Sequence, residues 1–304
     1  MTLSPYPAQR GLAARRVLGR AAMYVFIIVA SFVMIYPMLF MFLGAFTTGD
    51  RFMEANFLPI PNTFNLDYFV RGLKAVQGAY LVTGLRAGFY MGISVFTGMI
   101  GGYVFSKLRF PGRNKVFLIM LLGMVMPAIL MIMPQYLQMA WWPLAGGNNW
   151  LGQGGHGFIG EWPVLFAYGW VPPCAIFLYK QTYDMLPTEY QEAAILDGAG
   201  PLTIIWRVYG PLLKPVTAAL IAITFLAVWN DYLWPVLTIS GNEAWYPITY
   251  RVQTFTLRFW SPAGGPDYPP VMVQYIMAMW PPAFVYFVFQ RYFVQGLVAS
   301  GLKG

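Results

Sequence analysis

The chain has 304 residues, 58% of them hydrophobic and only 10% charged, with a formal net charge of +8. An ordinary soluble domain carries about 25% charged residues, so the composition excludes one and points to lipid. The single cysteine, Cys174, excludes a disulfide framework or a cysteine-based metal site within one chain.

A helix needs about 20 apolar residues to cross the hydrocarbon core. Charge-poor runs of that length predict six transmembrane helices and an all-α, polytopic membrane fold. Residues 1–20 form a basic tail, read as poorly ordered or lying on the membrane. The membrane domain covers 21–295 and its first span covers about 21–46. That run is longer than a signal-peptide core of about 7–15 residues, so it is read as retained. A polar external segment, 47–78, precedes span two at 79–106. The basic loop "SKLRFPGRN" leads to span three at 116–140. A Gly/Asn loop, 141–162, follows with Trp at both ends, as expected at a membrane–water boundary. Span four, 163–183, is short and contains Pro172 and Pro173. The polar loop 187–214 separates it from span five at 215–240. The external loop 241–269 precedes span six at 270–293, and 296–304 is a C-terminal tail.

Charge tests this order. Most of the 19 basic residues fall in segments that share one side, and Arg51, Arg71, Lys74, Arg86, Arg251 and Arg258 fall on or near the other. The positive-inside rule then puts both termini in the cytoplasm. The net charge reads as membrane orientation, with no basic domain for nucleic acid. Prolines interrupt several spans: Pro37, Pro127, Pro134, Pro172, Pro173, Pro235, Pro281 and Pro282. Interior proline removes a helix hydrogen bond, which lipid tolerates only where neighbours or a wet cavity satisfy the freed carbonyl. Such kinks suit a transport path better than a plain bundle.

The cytoplasmic loop is the informative segment. "TEYQ", Thr188–Gln191, is a capping-box pattern. Glu189 and Glu192 lie in the first turns, where carboxylates suit the helix dipole. The helix is predicted to stop at Gly198, and Pro201 to open a second one. Leu202, Ile205, Trp206 and Tyr209 then fall on one apolar face. Ala193 and Ala194 offer a small surface beside acids. Acids near an anionic leaflet are unfavourable, so the first helix reads as a knob for a protein partner.

"EAAILDG", followed by "VYGP", resembles the EAA loop of the permease subunits of ABC importers. Glu192, Ala193, Ala194, Gly198 and Pro211 match the pattern; Val208 stands for Ile and Gly210 for Leu. With "FLAVWNDYLWP" and the closing "QRYFVQGLVASGLKG", the chain resembles the smaller permease of maltose-type carbohydrate importers over almost its whole length. The resemblance implies a multi-pass subunit of a prokaryotic inner membrane, paired with a homologous second permease. Two ATPase subunits would bind below, holding ATP and Mg, and a soluble sugar-binding protein would dock outside. The permease itself would be no enzyme. Glu189, Glu192, Ala193, Ala194, Asp197, Gly198, Gly200 and Pro211 would couple to the ATPase. The tail, with Gly296, Gly301, Lys303 and Gly304, would also reach it. There is no GxxxxGK[ST] run, so no P-loop in this chain.

Asp231 lies within span five, where a charge is expensive and needs a partner or a wet cavity. Trp229, Asn230, Tyr232 and Trp234 surround it, and aromatic faces with Asn/Asp groups suit a sugar. A structural tie from Asp231 to a neighbouring helix or to Arg86 is the other reading. Arg86 is otherwise expected to snorkel to the outer interface. Gln135, Tyr136 and Gln138 in span three, and Gln274 in span six, are weaker candidates, with interhelical hydrogen bonding the stronger role. His156, alone in a glycine loop, reads as a turn residue and no metal ligand. The EAA loop reads the ATPase and not the cargo, so a sugar and another solute, such as a polyol or glycerol phosphate, both stay open. A membrane enzyme is the distant alternative, and no catalytic cluster at membrane depth supports it.

Overall fold

The computed structural model describes residues 7–54, 57–61, 66–167, 172–239, 241–256 and 268–301. Every regular element among them is helical. Three helices are long and apolar enough to cross a membrane: Val17–Ala45, Leu66–Lys107 and Tyr268–Gln290. Two further pairs pass the same test only together, across sharp bends.

α1 spans Pro7–Ala45. The basic tail is thus helical from Pro7. Its Ala-, Leu- and Arg-rich sequence carries no proline between Pro7 and Pro37, so nothing stops the helix. α2, Gly49–Glu54, is a short turn of helix in the 47–78 segment. α3, Leu66–Lys107, starts well before the expected residue 79, because "LDYFVRGLKAVQG" contains no breaker stronger than an isolated glycine. It ends at Lys107 as read, where Pro111 and Gly112, at φ 78°, follow.

Span three is not one straight helix. α4, Arg113–Val125, and α5, Ala128–Ala140, meet at 101°. Pro127 is the cause. It forces the preceding Met126 out of the helical region, to φ −71° and ψ 123°. Span four is also shorter than expected. A 3-10 turn, Trp162–Leu165, precedes α6, Pro173–Met185. Its 13 residues rise only about 20 Å. Pro172 is extended and Pro173 opens the helix, so the helix cannot start earlier.

The 187–214 loop folds into α7, Glu189–Leu196, and a helical rod, Pro201–Leu212, built from α8 (Pro201–Thr203), a π-helical segment (Ile204–Tyr209) and α9 (Gly210–Leu212). That rod turns 86° into α10, Lys214–Trp229. α11, Leu233–Thr238, continues after a break at residues 230–232. α12, Ile248–Thr256, and α13, Tyr268–Gly301, complete the order. The predicted tail therefore continues span six as helix through Gly301.

The chain divides into two compact units. In the first, residues 1–73 and 259–276, Phe46 stacks on Phe69 and Phe52 on Tyr268. Gly72 lets α3 approach Val273, where an added Cβ would lie 2.7 Å from its side chain. In the second unit, 74–258 and 277–304, α3 and α6 meet through glycine. A Cβ on Gly102 would lie 2.5 Å from Tyr179, and one on Gly98 2.9 Å from Ala175. Small residues of this kind let membrane helices pack closely.

The 141–162 loop is tied by Asn148. Its side-chain amide donates to the carbonyls of Ala140 and Trp142, and its oxygen accepts from Gly155 N–H. His156 sits in this loop, its N–H bonded to the Gly146 carbonyl.

Candidate functional site

Two places in the second unit gather the residues singled out from sequence. The first is the 187–214 loop. α7 ends in a Schellman turn: Gly198 N–H donates to the Ile195 carbonyl and Ala199 N–H to the Ala194 carbonyl. Gly198 takes φ 81°, a conformation glycine adopts without a Cβ clash. Gly200 is extended before Pro201, which opens the next helix as read. The capping box does not form. Thr188 is itself helical at φ −74° and ψ −22°, and its hydroxyl makes no cap bond. Side-chain capping needs an extended residue there; Thr188 contributes its carbonyl to Gln191 and Glu192 N–H instead.

Glu189, Glu192, Ala193, Asp197, Gly198, Gly200 and Pro211 are exposed, and Ala194 is the buried residue of α7. Sequence reasoning missed Leu196, which is 89% exposed. Tyr190, Ile195 and Leu202 nearby in the sequence are exposed as well. The expected apolar face of the second helix is corrected. Ile204, Ile205 and Tyr209 are buried, whereas Leu202 and Trp206 are exposed. The cause is the π-helical segment, whose i→i+5 pairing shifts the face away from the 3.6-residue period.

A polar groove of about 470 Å³ runs beside α7, lined in part by Lys107, Arg109, Arg113, Asp184 and Glu192. Lys107 Nζ donates to the Leu186 carbonyl at 2.8 Å. Burial pulls its ammonium below the ordinary value, against the carboxylates of Asp184 and Glu189. Asp184 accepts from Lys180 Nζ and Ser106 Oγ, both at 2.6 Å. Burial opposes its ionisation, but these bonds and the nearby lysines hold its carboxyl below the usual range.

The second place is the break between α10 and α11. Asp231 pairs with Arg86 of α3. Arg86 is 1% exposed and also donates from Nε to the Leu165 carbonyl at 3.1 Å. It does not snorkel: a partner 145 positions away holds it inside. Asp231 remains partly exposed and faces a groove of about 410 Å³ that Ser94, Cys174 and Thr224 also line. Of its sequence neighbours, Trp229 is buried and donates to the Ala278 carbonyl at 2.9 Å. Trp234 is buried and donates to the Val164 carbonyl at 3.1 Å. Asn230 is exposed and bonds back to the Leu226 carbonyl. Tyr232 packs edge-on to Tyr250. The two tryptophans are framework and do not line the groove.

Gln135 and Tyr136 are half-buried on α5 and Gln138 is exposed; none lines that groove. Gln274 is fully buried, and neither amide atom has a hydrogen-bond partner among the described residues. Gly296 and Gly301 lie on α13. Lys303, Gly304, Arg258 and the end of the 241–269 loop fall outside the described residues, as does the middle of span four.

The family described as the binding-protein-dependent transport system inner membrane component matches residues 91–298. The chain belongs to this family. The match covers the 187–214 loop, both bent helix pairs and the groove residues other than Arg86 and Tyr90. The permease is 27% identical to the lactose transport system permease protein LacG of Rhizobium radiobacter, over 94% of this chain and 97% of that one. It is 27% identical to the arabinooligosaccharides transport system permease protein AraQ of Halalkalibacterium halodurans, over 90% and 93%. It is 28% identical to the sn-glycerol-3-phosphate transport system permease protein UgpE of Yersinia enterocolitica, over 91% and 95%. Its fold matches a chain of a bacterial ABC transporter involved in the import of the acidic polysaccharide alginate, with a TM-score of 0.73 and 23% identity, over 96% of this chain and 100% of the other. The permease is thus a membrane subunit of a binding-protein-dependent ABC importer, not an enzyme, and the ATPase is a separate subunit.

Proposed function

We propose that this permease carries a neutral carbohydrate by alternating access, with α7 as its contact to the ATPase and the groove beside Asp231 as part of the path. The observation that carries the coupling half is the bare Leu196 side chain, 89% exposed at the end of a helix locked by its Schellman turn. A protein socket removes such a side chain from water. Glu189, Ala193, Gly198, Gly200 and Pro211 complete the contact, and the tail from Gly296 through Gly304 adds a second one. ATP and Mg²⁺ belong to the ATPase subunits.

The six passes are α1, α3, the bent α4–α5 pair, α6 with the turn before it, α10 with α11, and α13. The distribution of Lys and Arg supports cytoplasmic termini. A homologous second permease would cover the groove wall that Cys174, Ile223 and Ala227 leave exposed.

The carbohydrate half rests on charge. Among the described lining residues Arg86 is the one cation, and Asp231 neutralises it. The groove thus offers the hydroxyls of Ser94 and Thr224 to a cargo, and no spare cation to an anion. The names of relatives include two saccharide systems and one glycerol phosphate system. The test is uptake by proteoliposomes of the full complex with its binding protein, comparing neutral oligosaccharides with sn-glycerol 3-phosphate. Saccharide-dependent uptake is the expected result. Uptake of the phosphate alone overturns the cargo reading.

A further inference from the structure

Three tyrosines meet where the cytoplasmic loop enters the membrane domain. Tyr183 of α6 lies edge-on to Tyr209 of the π-helical segment, with ring centroids 5.2 Å apart and planes at 87°. Tyr103 of α3 lies edge-on to Tyr183 at 5.9 Å and tilted to Tyr209 at 6.3 Å. Lys107 Nζ stands over the Tyr209 ring at 5.6 Å. Tyr183 and Tyr209 are completely buried, yet neither hydroxyl has a hydrogen-bond partner among the described residues. Tyr179, one turn before Tyr183, shows the alternative: its hydroxyl pairs with Thr217 of α10 at 2.8 Å. Buried hydroxyls are rarely left unpaired, and an orphan in a native structure asks for a reason.

The position of the cluster supplies one. Ala194, the buried residue of α7, packs into the same core as Tyr103, Tyr183, Tyr209 and Leu220. Any displacement of α7 therefore reaches α3, α6 and α10 through these rings. The segment carrying Tyr209 is a π-helix between two α-helical turns. Such a segment holds one residue more than α-helical pairing needs, and such segments are frequent at functional sites. Returning it to α-helical pairing turns Tyr209 about its axis without lengthening the chain.

We propose that Tyr183 and Tyr209 are positioning residues of the transport step: their hydroxyls are orphaned in this conformation and gain partners in the other one, when the π-helical segment shifts. The two hydroxyls then bias the equilibrium away from the conformation seen here. The inference rests on the reading of α7 as the ATPase contact.

Tyr183→Phe and Tyr209→Phe test it in the complete importer, since Phe keeps the rings and removes only the hydroxyls. The expected result is unchanged assembly, an equal or higher Tm, and uptake lower by about tenfold, the effect of about 1.4 kcal/mol of lost bias. A purely structural role predicts the Tm change with uptake intact, and that result overturns the proposal, as does loss of assembly. Glu192→Lys runs beside them. If it assembles and transports normally, the α7 contact is wrong; if it is inactive while both Phe variants transport normally, only the tyrosine joint fails.

Discussion

Arg86 and Asp231 hold each other across 145 positions of sequence, one buried on α3 and the other in the gap between α10 and α11. The pair closes a break in a membrane helix, where unpaired charge is costly. Removing one partner leaves the other buried and uncompensated. Asp231→Ala is expected to destabilise the permease by about 3–5 kcal/mol. The double change Arg86→Met with Asp231→Leu removes both charges and is expected to recover most of that loss. Thermal unfolding of the purified complexes measures both. Equal Tm values for wild type and Asp231→Ala would remove the pair from any structural role.

The α3–α6 contact depends on the absence of a side chain. An added Cβ at Gly102 meets Tyr179 at 2.5 Å and the Lys180 backbone nitrogen at 2.9 Å. Gly102→Ala is expected to cost about 1–3 kcal/mol through overpacking. Gly88→Ala, on the same helix with nothing within 4 Å, is expected to be neutral or to stabilise by up to about 1 kcal/mol. Comparing the two by Tm separates steric crowding from helix propensity.

Gly198 ends α7 at φ 81°. Gly198→Val puts a β-branched residue in the left-handed region, at a cost of about 1–2 kcal/mol or more. The expected outcome is a permease that still inserts but loses affinity for the ATPase, read by co-purification. Glu192→Lys is expected to abolish uptake with insertion intact. Normal uptake in both variants would remove α7 from coupling.

Asp184 gives a pH dependence with a definite sign. Its folded carboxyl lies below the ordinary value of about 4. A depressed carboxyl contributes stability that is fully present above the unfolded value and is lost as pH falls through the folded one. The Tm difference between wild type and Asp184→Asn is expected to be constant above about pH 5 and to shrink on acidification below about pH 4. A gap that widens on acidification would reverse the assignment.

Local features were legible in the sequence. The stop at Gly198, the start at Pro201 and the end of α3 near Lys107 each follow from residues within a few positions. The spacing of "EAAILDG" and "VYGP" was enough to anticipate the family. What escaped was non-local or depended on an assumed period. The tie from Asp231 to Arg86 was one of two readings that the sequence left open, because nothing local to either residue decides between them, and the structure forms it. Leu202 and Trp206 were placed on one face with Ile205 and Tyr209 because a 3.6-residue repeat was applied to a segment that pairs i→i+5. Pro127 was read as a kink, yet a kink and a 101° corner carry the same residue signature. The groove also took Ser94 and Thr224, which carry no local signal, in place of the two tryptophans.

The 86° corner at Leu213 makes the rod Pro201–Leu212 and α10 a bell crank. Leu213 is completely buried, so the fulcrum is gripped. The arms are 12 and 16 residues, roughly 18 and 24 Å. A rotation of about 10° carries the α7 end through roughly 3 Å and the far end of α10 sideways by roughly 4 Å, from those arm lengths. That far end leads straight to Asp231. A stroke of this size exceeds the reach of a hydrogen-bonded ion pair, so with such a rotation the bond to Arg86 holds only if α3 travels with α10.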